Sequence, residues 1–140
     1  MKRYVHVILI LGATVWCLAI IAAPAFRLGW VYLFFSTICH QLPARSWHIH
    51  QGQLGLCIRC TAISVGFLTG FLLLRTPNVR WLKFAIAITA GQWLLAVTLL
   101  DSEVLRALSG VLLGASAAPI VRRGVDEMFV TGVKTVHEPM

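Results

Sequence analysis

The sequence predicts an all-α, polytopic membrane protein: four transmembrane helices plus a short interfacial or re-entrant helix. Three observations predict it. The 140 residues are 59% hydrophobic but only 12% charged, about half the charge of a typical soluble domain. Mean hydropathy is +0.83. Four apolar runs approach the roughly 20 residues that a membrane-crossing helix needs.

The first run, 5–23, follows Lys2 and Arg3 and precedes the small-residue cluster Ala22-Ala23-Pro24-Ala25. It resembles a secretory leader but exceeds the roughly 7–15 residues of a leader's apolar stretch, so it reads as an uncleaved first span. The next apolar segment, Leu28 to Cys39, is twelve residues long. That length suits a helix lying at, or dipping into, one membrane face. Trp30, Tyr32 and Trp47 suit the headgroup zone. The remaining spans are 54–74, interrupted by Arg59; 82–100, containing Gln92; and 104–121, with Arg106 near its start. Pro24, Pro43, Pro77 and Pro119 fall at or near the expected boundaries. Residues 1–125 thus read as one transmembrane domain and 126–140 as a cytoplasmic tail.

Orientation follows from the basic residues. With the N-terminus inside, the inner face holds eight: Lys2, Arg3, Arg75, Arg80, Lys83, Arg122, Arg123 and Lys134. The outer face holds three, Arg27, Arg45 and Arg106. The excess of positive charge inside places both termini in the cytoplasm and residues 36–60 outside, facing the periplasm or cell exterior. The net charge of +7 is accounted for by residues flanking apolar runs, where anionic lipid is the natural partner. No basic patch interleaved with exposed aromatics points to nucleic acid.

Within the spans, Ala62, Gly66 and Gly70 recur every four residues, as do Gly110, Gly114 and Ala118. Small residues at that spacing allow close helix approach in lipid. Packing inside the bundle is the plainer expectation; a homodimer face is the alternative.

The chemistry gathers in "STICHQLPARSWHIHQGQLGLCIRC", residues 36–60, which holds three of the four cysteines and three of the five histidines. Cys57 and Cys60 are three apart and share a helix face. With Cys39 and His40 they form a candidate four-ligand metal site, zinc first, because mixed thiolate and imidazole ligands suit that ion. Adjacent residues on a regular helix diverge by about 100°, so Cys39 and His40 share an ion only if the helix ends there, as Pro43 suggests. His48 or His50 is an alternative imidazole. A Cys-x-x-Cys beside Arg59 is also the pattern of a membrane dithiol that passes electrons to quinone. Such oxidoreductases carry a second cysteine pair, and only Cys39 and the deeper Cys17 remain for it. Arg59 is expected to snorkel, or to pair with Asp101 or Glu103; it and Arg106 are candidates for a lipid phosphate or an anionic substrate. Five acidic residues leave little for acid–base catalysis, and no Ser-His-Asp order or phosphate loop is visible.

These same residues resemble a domain-of-unknown-function family of small bacterial and archaeal membrane proteins. Its signature matches Cys39, His40, Gln41, Pro43, Arg45, Ser46 and Gly52, then Cys57, Arg59, Cys60, Gly66 and Gly70. A second element matches Asp101, Arg106, Gly110 and Gly114. The resemblance covers about Phe34 to Ala115. Thr61-Ala62 stands where a small residue and glycine are usual, and the segment from Asp101 to Arg106 is short. The resemblance implies a membrane fold and a polar signature but no activity. Gln41, Arg45, Ser46, Arg59, Asp101 and Arg106 then read as supports of the ligands or as an anion-binding wall. The sequence therefore ranks three functions: a metal-binding membrane protein, a non-catalytic subunit of a larger membrane complex braced by the cluster, and a thiol–disulfide oxidoreductase.

Overall fold

A computed structural model describes residues 2–49, 52–74, 76–98 and 102–136. Among the described residues, five α-helices carry the fold: α1 (Lys2–Ala25), α2 (Gly29–Ser36), α3 (Ile58–Leu73), α4 (Val79–Thr98) and α5 (Glu103–Val136). Among the described residues, Tyr4–Ala25 and Glu103–Met128 are long and apolar enough to cross a membrane, and Ile58–Leu73 is a shorter apolar helix. Outward faces are apolar, as at Val7, Ile8, Leu11, Val15 and Leu18 of α1. Such a surface favours hydrocarbon over water.

The chain reverses sharply after α1. Arg27 is left-handed, with φ of 48°, and the Leu28 amide donates to the Ala23 carbonyl at 3.1 Å. This is a Schellman-type end, with arginine where glycine is usual. The turn feeds α2, whose eight residues reach about 12 Å at 1.5 Å each, far short of roughly 30 Å of hydrocarbon. α2 then ends on bonds from Thr37 to Phe34, and from Ile38 and Cys39 to Phe35.

Two departures from the sequence reading follow. Residues His48–Ile49 (β1) and Gly52–Gln53 (β2) form a short antiparallel pair, His48 opposite Gln53 and Ile49 opposite Gly52. The Leu54 amide donates to the Trp47 carbonyl at 2.8 Å and extends it. Four residues in ladder are too few for a period-two hydrophobic signal. The second departure is Pro119, expected near a boundary but lying inside α5, which runs on to Val136. A proline is tolerated within a helix where neighbouring helices and local backbone adjustment compensate the lost bond.

Among the four longer helices, α1, α3, α4 and α5, direction alternates. His6 of α1 lies 3.4 Å from Asp126 of α5, and its ring is 6.0 Å from that of Phe71 of α3. At the other end of α1, the Gly55 amide donates to the Ile20 carbonyl at 3.3 Å. So α3 and α5 run parallel to each other and antiparallel to α1. They touch through their glycines. A Cβ on Gly110 would sit 2.8 Å from the Ala62 Cβ and the Arg59 carbonyl; one on Gly70 would sit 2.6 Å from the Ala115 Cα. Gly66 faces the Val111 backbone, and Gly114 faces Ile63 and Phe67. These four glycines are occupied in contacts within the chain. The apolar core nearest the cysteine-rich stretch joins Ile20, Ala23, Val31, Phe35, Cys39, Leu54 and Leu56, with Trp16 edge-on to Phe35 at 5.0 Å.

Candidate functional site

The end of α2 and the start of α3 meet. Cys39, Cys57 and Cys60 place their sulfurs within 4.8 Å of one another. Each arrives for a local reason. Cys39 follows the last turn of α2 and is drawn into the core, 5% exposed. Cys57 is the residue capping α3, and Cys60 lies one turn on, on the same face. The Cys57 amide donates to the Cys39 Sγ at 3.4 Å, ahead of a helix whose first N–H groups present a partial positive charge. Three converging sulfurs at a helix start can share a metal ion, or two of them can form a disulfide. All four cysteines are free thiols.

A cavity of about 630 Å³ opens over the sulfurs, lined also by His40, Gln41, Arg45, Arg59, Trp93 and Arg106. His40 is exposed and stands outside the three-sulfur group. His48 is exposed on β1; His50 and Asp101 lie outside the described residues. Glu103 is exposed at the start of α5, while Arg106 is buried one turn further. Arg59 donates through Nη2 to the Gln92 Oε1 of α4. Cys17 is partly buried on α1, apart from the sulfur group.

Gln41 and Ser46 hold the loop rather than face a ligand with their bonds. Gln41 is left-handed, with φ of 47°, and its Nε2 donates to the carbonyls of Tyr32 at 3.0 Å and Gly55 at 2.8 Å. The Gln53 Nε2 donates to the Gln41 carbonyl at 2.6 Å and the Ser46 Oγ at 3.4 Å. The Ser46 hydroxyl donates to the Leu42 carbonyl at 3.0 Å, and the Tyr32 hydroxyl donates to the Gln53 carbonyl. Burial pushes the Tyr32 phenol above its ordinary value, which keeps it a donor. The network ties α2, the loop and β2 into one frame under Cys39 and Cys57.

Sequence reasoning missed Gln53 and Tyr32 as parts of this frame, and Gln92 as the partner of Arg59. Gln92 had left a signal: an amide inside an apolar span needs a partner, and Arg59 was in want of one. Gln41→Ala removes two bonds to backbone carbonyls that the frame encloses. It is expected to cost about 1–3 kcal/mol of stability, read by thermal unfolding in detergent, with all three thiols still reacting once the protein is unfolded.

Residues 39–120 match the family model described as predicted membrane protein, DUF2085. The chain is 32% identical over 117 residues to the uncharacterized protein MJ1492 of Methanocaldococcus jannaschii, covering 74% of this chain and 71% of that one. No solved structure matches.

Proposed function

The chain belongs to the DUF2085 family of predicted membrane proteins, and from that premise we propose that it holds a transition-metal ion, zinc first, on Cys39, Cys57 and Cys60. The observation that carries this is the approach of the three sulfurs to within 4.8 Å. Tetrahedral Zn²⁺ binds thiolate at about 2.3 Å, which places sulfurs sharing one ion about 3.8 Å apart. The three thiols need only close slightly. Three thiolates with one divalent ion carry a net charge of −1, which Arg59 and Arg106 on the same cavity wall offset.

A fourth ligand would come from the cavity side, either His40 or a molecule entering the cavity. In this reading α1, residues 54–74, α4 and α5 are the four spans, both termini are cytoplasmic, and the cavity opens outward. A bound ion would also shield the three thiolates from oxidation at an outward, oxidising face. The ion braces the end of α2 against the start of α3, and the chain takes its place among membrane lipids alone or within a larger complex.

Elemental analysis of protein purified in detergent tests the proposal: one zinc per chain is expected, and no stoichiometric metal sinks it. His40→Ala identifies the fourth ligand. With His40 as ligand, affinity falls at least about tenfold; with an external ligand it is unchanged. A dithiol reading is favoured by one feature, the Cys57–Cys60 pair at a helix start. It requires those thiols to become protected from alkylation under oxidising conditions and to be released by reductant.

A further inference from the structure

The cavity over the sulfurs is larger than an ion and its waters require. At about 630 Å³ it falls within the roughly 300–1,000 Å³ of small-molecule sites. Its wall has two characters. Arg45 comes from a single 3-10 turn, Pro43–Arg45, Arg59 from α3 and Arg106 from α5; all three line the cavity. Ile38, Leu42 and Trp93 give it an apolar side. Three guanidiniums around one cavity, walled by low-dielectric groups, focus a positive field into it. Their planar forks match phosphate oxygens two at a time.

Arg59 is held in place by Gln92, yet its Nε is buried with no hydrogen-bond partner among the described residues. A buried donor left open on a tethered side chain is where a ligand oxygen restores the missing bond. The same end of the molecule exposes Phe26, Trp30, Phe34, Ile38, Leu42 and Trp47. Aromatic and aliphatic side chains of this kind settle at headgroup depth, where lipid phosphates lie.

We infer that this cavity binds an anionic amphiphile, one whose phosphate charge no headgroup cation balances, with that phosphate on Arg45, Arg59 and Arg106 and its apolar part against Ile38, Leu42 and Trp93. The inference goes beyond the metal reading and stands without it, because the arginines and the apolar wall do not depend on the ion. The phosphate can belong to a lipid headgroup or be free in solution, and the experiment separates the two.

The full chain is reconstituted in nanodiscs holding phosphatidic acid and phosphatidylcholine, and retained lipid is counted by native mass spectrometry. Calorimetry with inorganic phosphate is run in discs of phosphatidylcholine alone. Phosphatidic acid is expected to be retained about tenfold over phosphatidylcholine. Arg45→Ala, at an exposed turn, is expected to remove most of that preference, and Arg45→Lys to restore part of it. Arg80→Ala, at the start of α4 and away from the cavity, leaves it unchanged. Phosphate binding that Arg45→Ala weakens, without lipid preference, assigns the site to soluble phosphate compounds. Equal retention of both lipids with no phosphate binding overturns the inference, as does equal loss in Arg45→Ala and Arg80→Ala. Metal content measured on the same samples keeps the two readings apart: anion binding without metal sinks only the metal reading, and metal without anion binding sinks only this one.

Discussion

Cys60→Ser is expected to lower zinc affinity at least about a hundredfold, taking the purified protein from one metal per chain to almost none. Even changes to groups that merely hold a ligand in place cost metal sites ten- to a hundredfold, and a serine hydroxyl is a poorer ligand for zinc than a thiolate. Cys57→Ser and Cys39→Ser should behave alike, because the three sulfurs form one group within 4.8 Å. Serine is nearly isosteric with cysteine and keeps the helix start, so the fold should persist and loss of metal will not report unfolding. Cys17→Ser is the control. That thiol sits on α1 outside the group, and its replacement should leave metal content unchanged. Competition against a chromophoric chelator measures the affinities. Equal metal content in Cys17→Ser and Cys60→Ser would remove the ion from this site.

The sequence exposes part of this site and hides the rest. The apolar runs announce helices because lipid demands length, and length is visible in a string of letters. The three cysteines of the site were equally visible. Their meeting depends on two helix ends, at Ser36 and at Ile58, and Pro43 betrays the first of them. The partner of Arg59 was hidden. Charge logic points it at Asp101, which lies outside the described residues, or at Glu103; among the described residues it bonds a neutral amide from α4, since within apolar surroundings any acceptor in reach will do. His40 was grouped with the sulfurs by adjacency in sequence. In three dimensions His40 is exposed on the wall of the same cavity, beside the left-handed step at Gln41. A backbone reversal at a non-glycine residue has no periodicity to reveal it. Gln53 was hidden for a related reason: its amide matters only because β2 folds back beside Gln41.

The glycines were legible as small residues at fourfold spacing, and the contacts they make set up the second large effect. Gly114→Leu is expected to destabilise the protein by about 3 kcal/mol or more. A Cβ at that position would fall on the Ile63 carbonyl and lie 2.7 Å from the Phe67 amide nitrogen. Both are backbone atoms of α3, which cannot swing aside as a side chain would, so α3 and α5 must separate. Gly12→Leu on α1 and Gly124→Leu on α5 are the controls, since a Cβ at either meets nothing within 4 Å. Thermal unfolding in detergent should leave both near wild type while Gly114→Leu melts early. The consequences at the site should also divide. All three sulfurs come from the end of α2 and the start of α3, so folded Gly114→Leu protein should still bind metal. Arg106, on α5, moves with the displaced helix, so retention of phosphatidic acid should fall. Metal kept and anion lost in one variant would divide the site into a sulfur half built by α2 and α3 and a cationic half that closes only when α5 docks. Loss of both in protein that remains helical would mean that the close contact of α3 and α5 holds the sulfurs together as well.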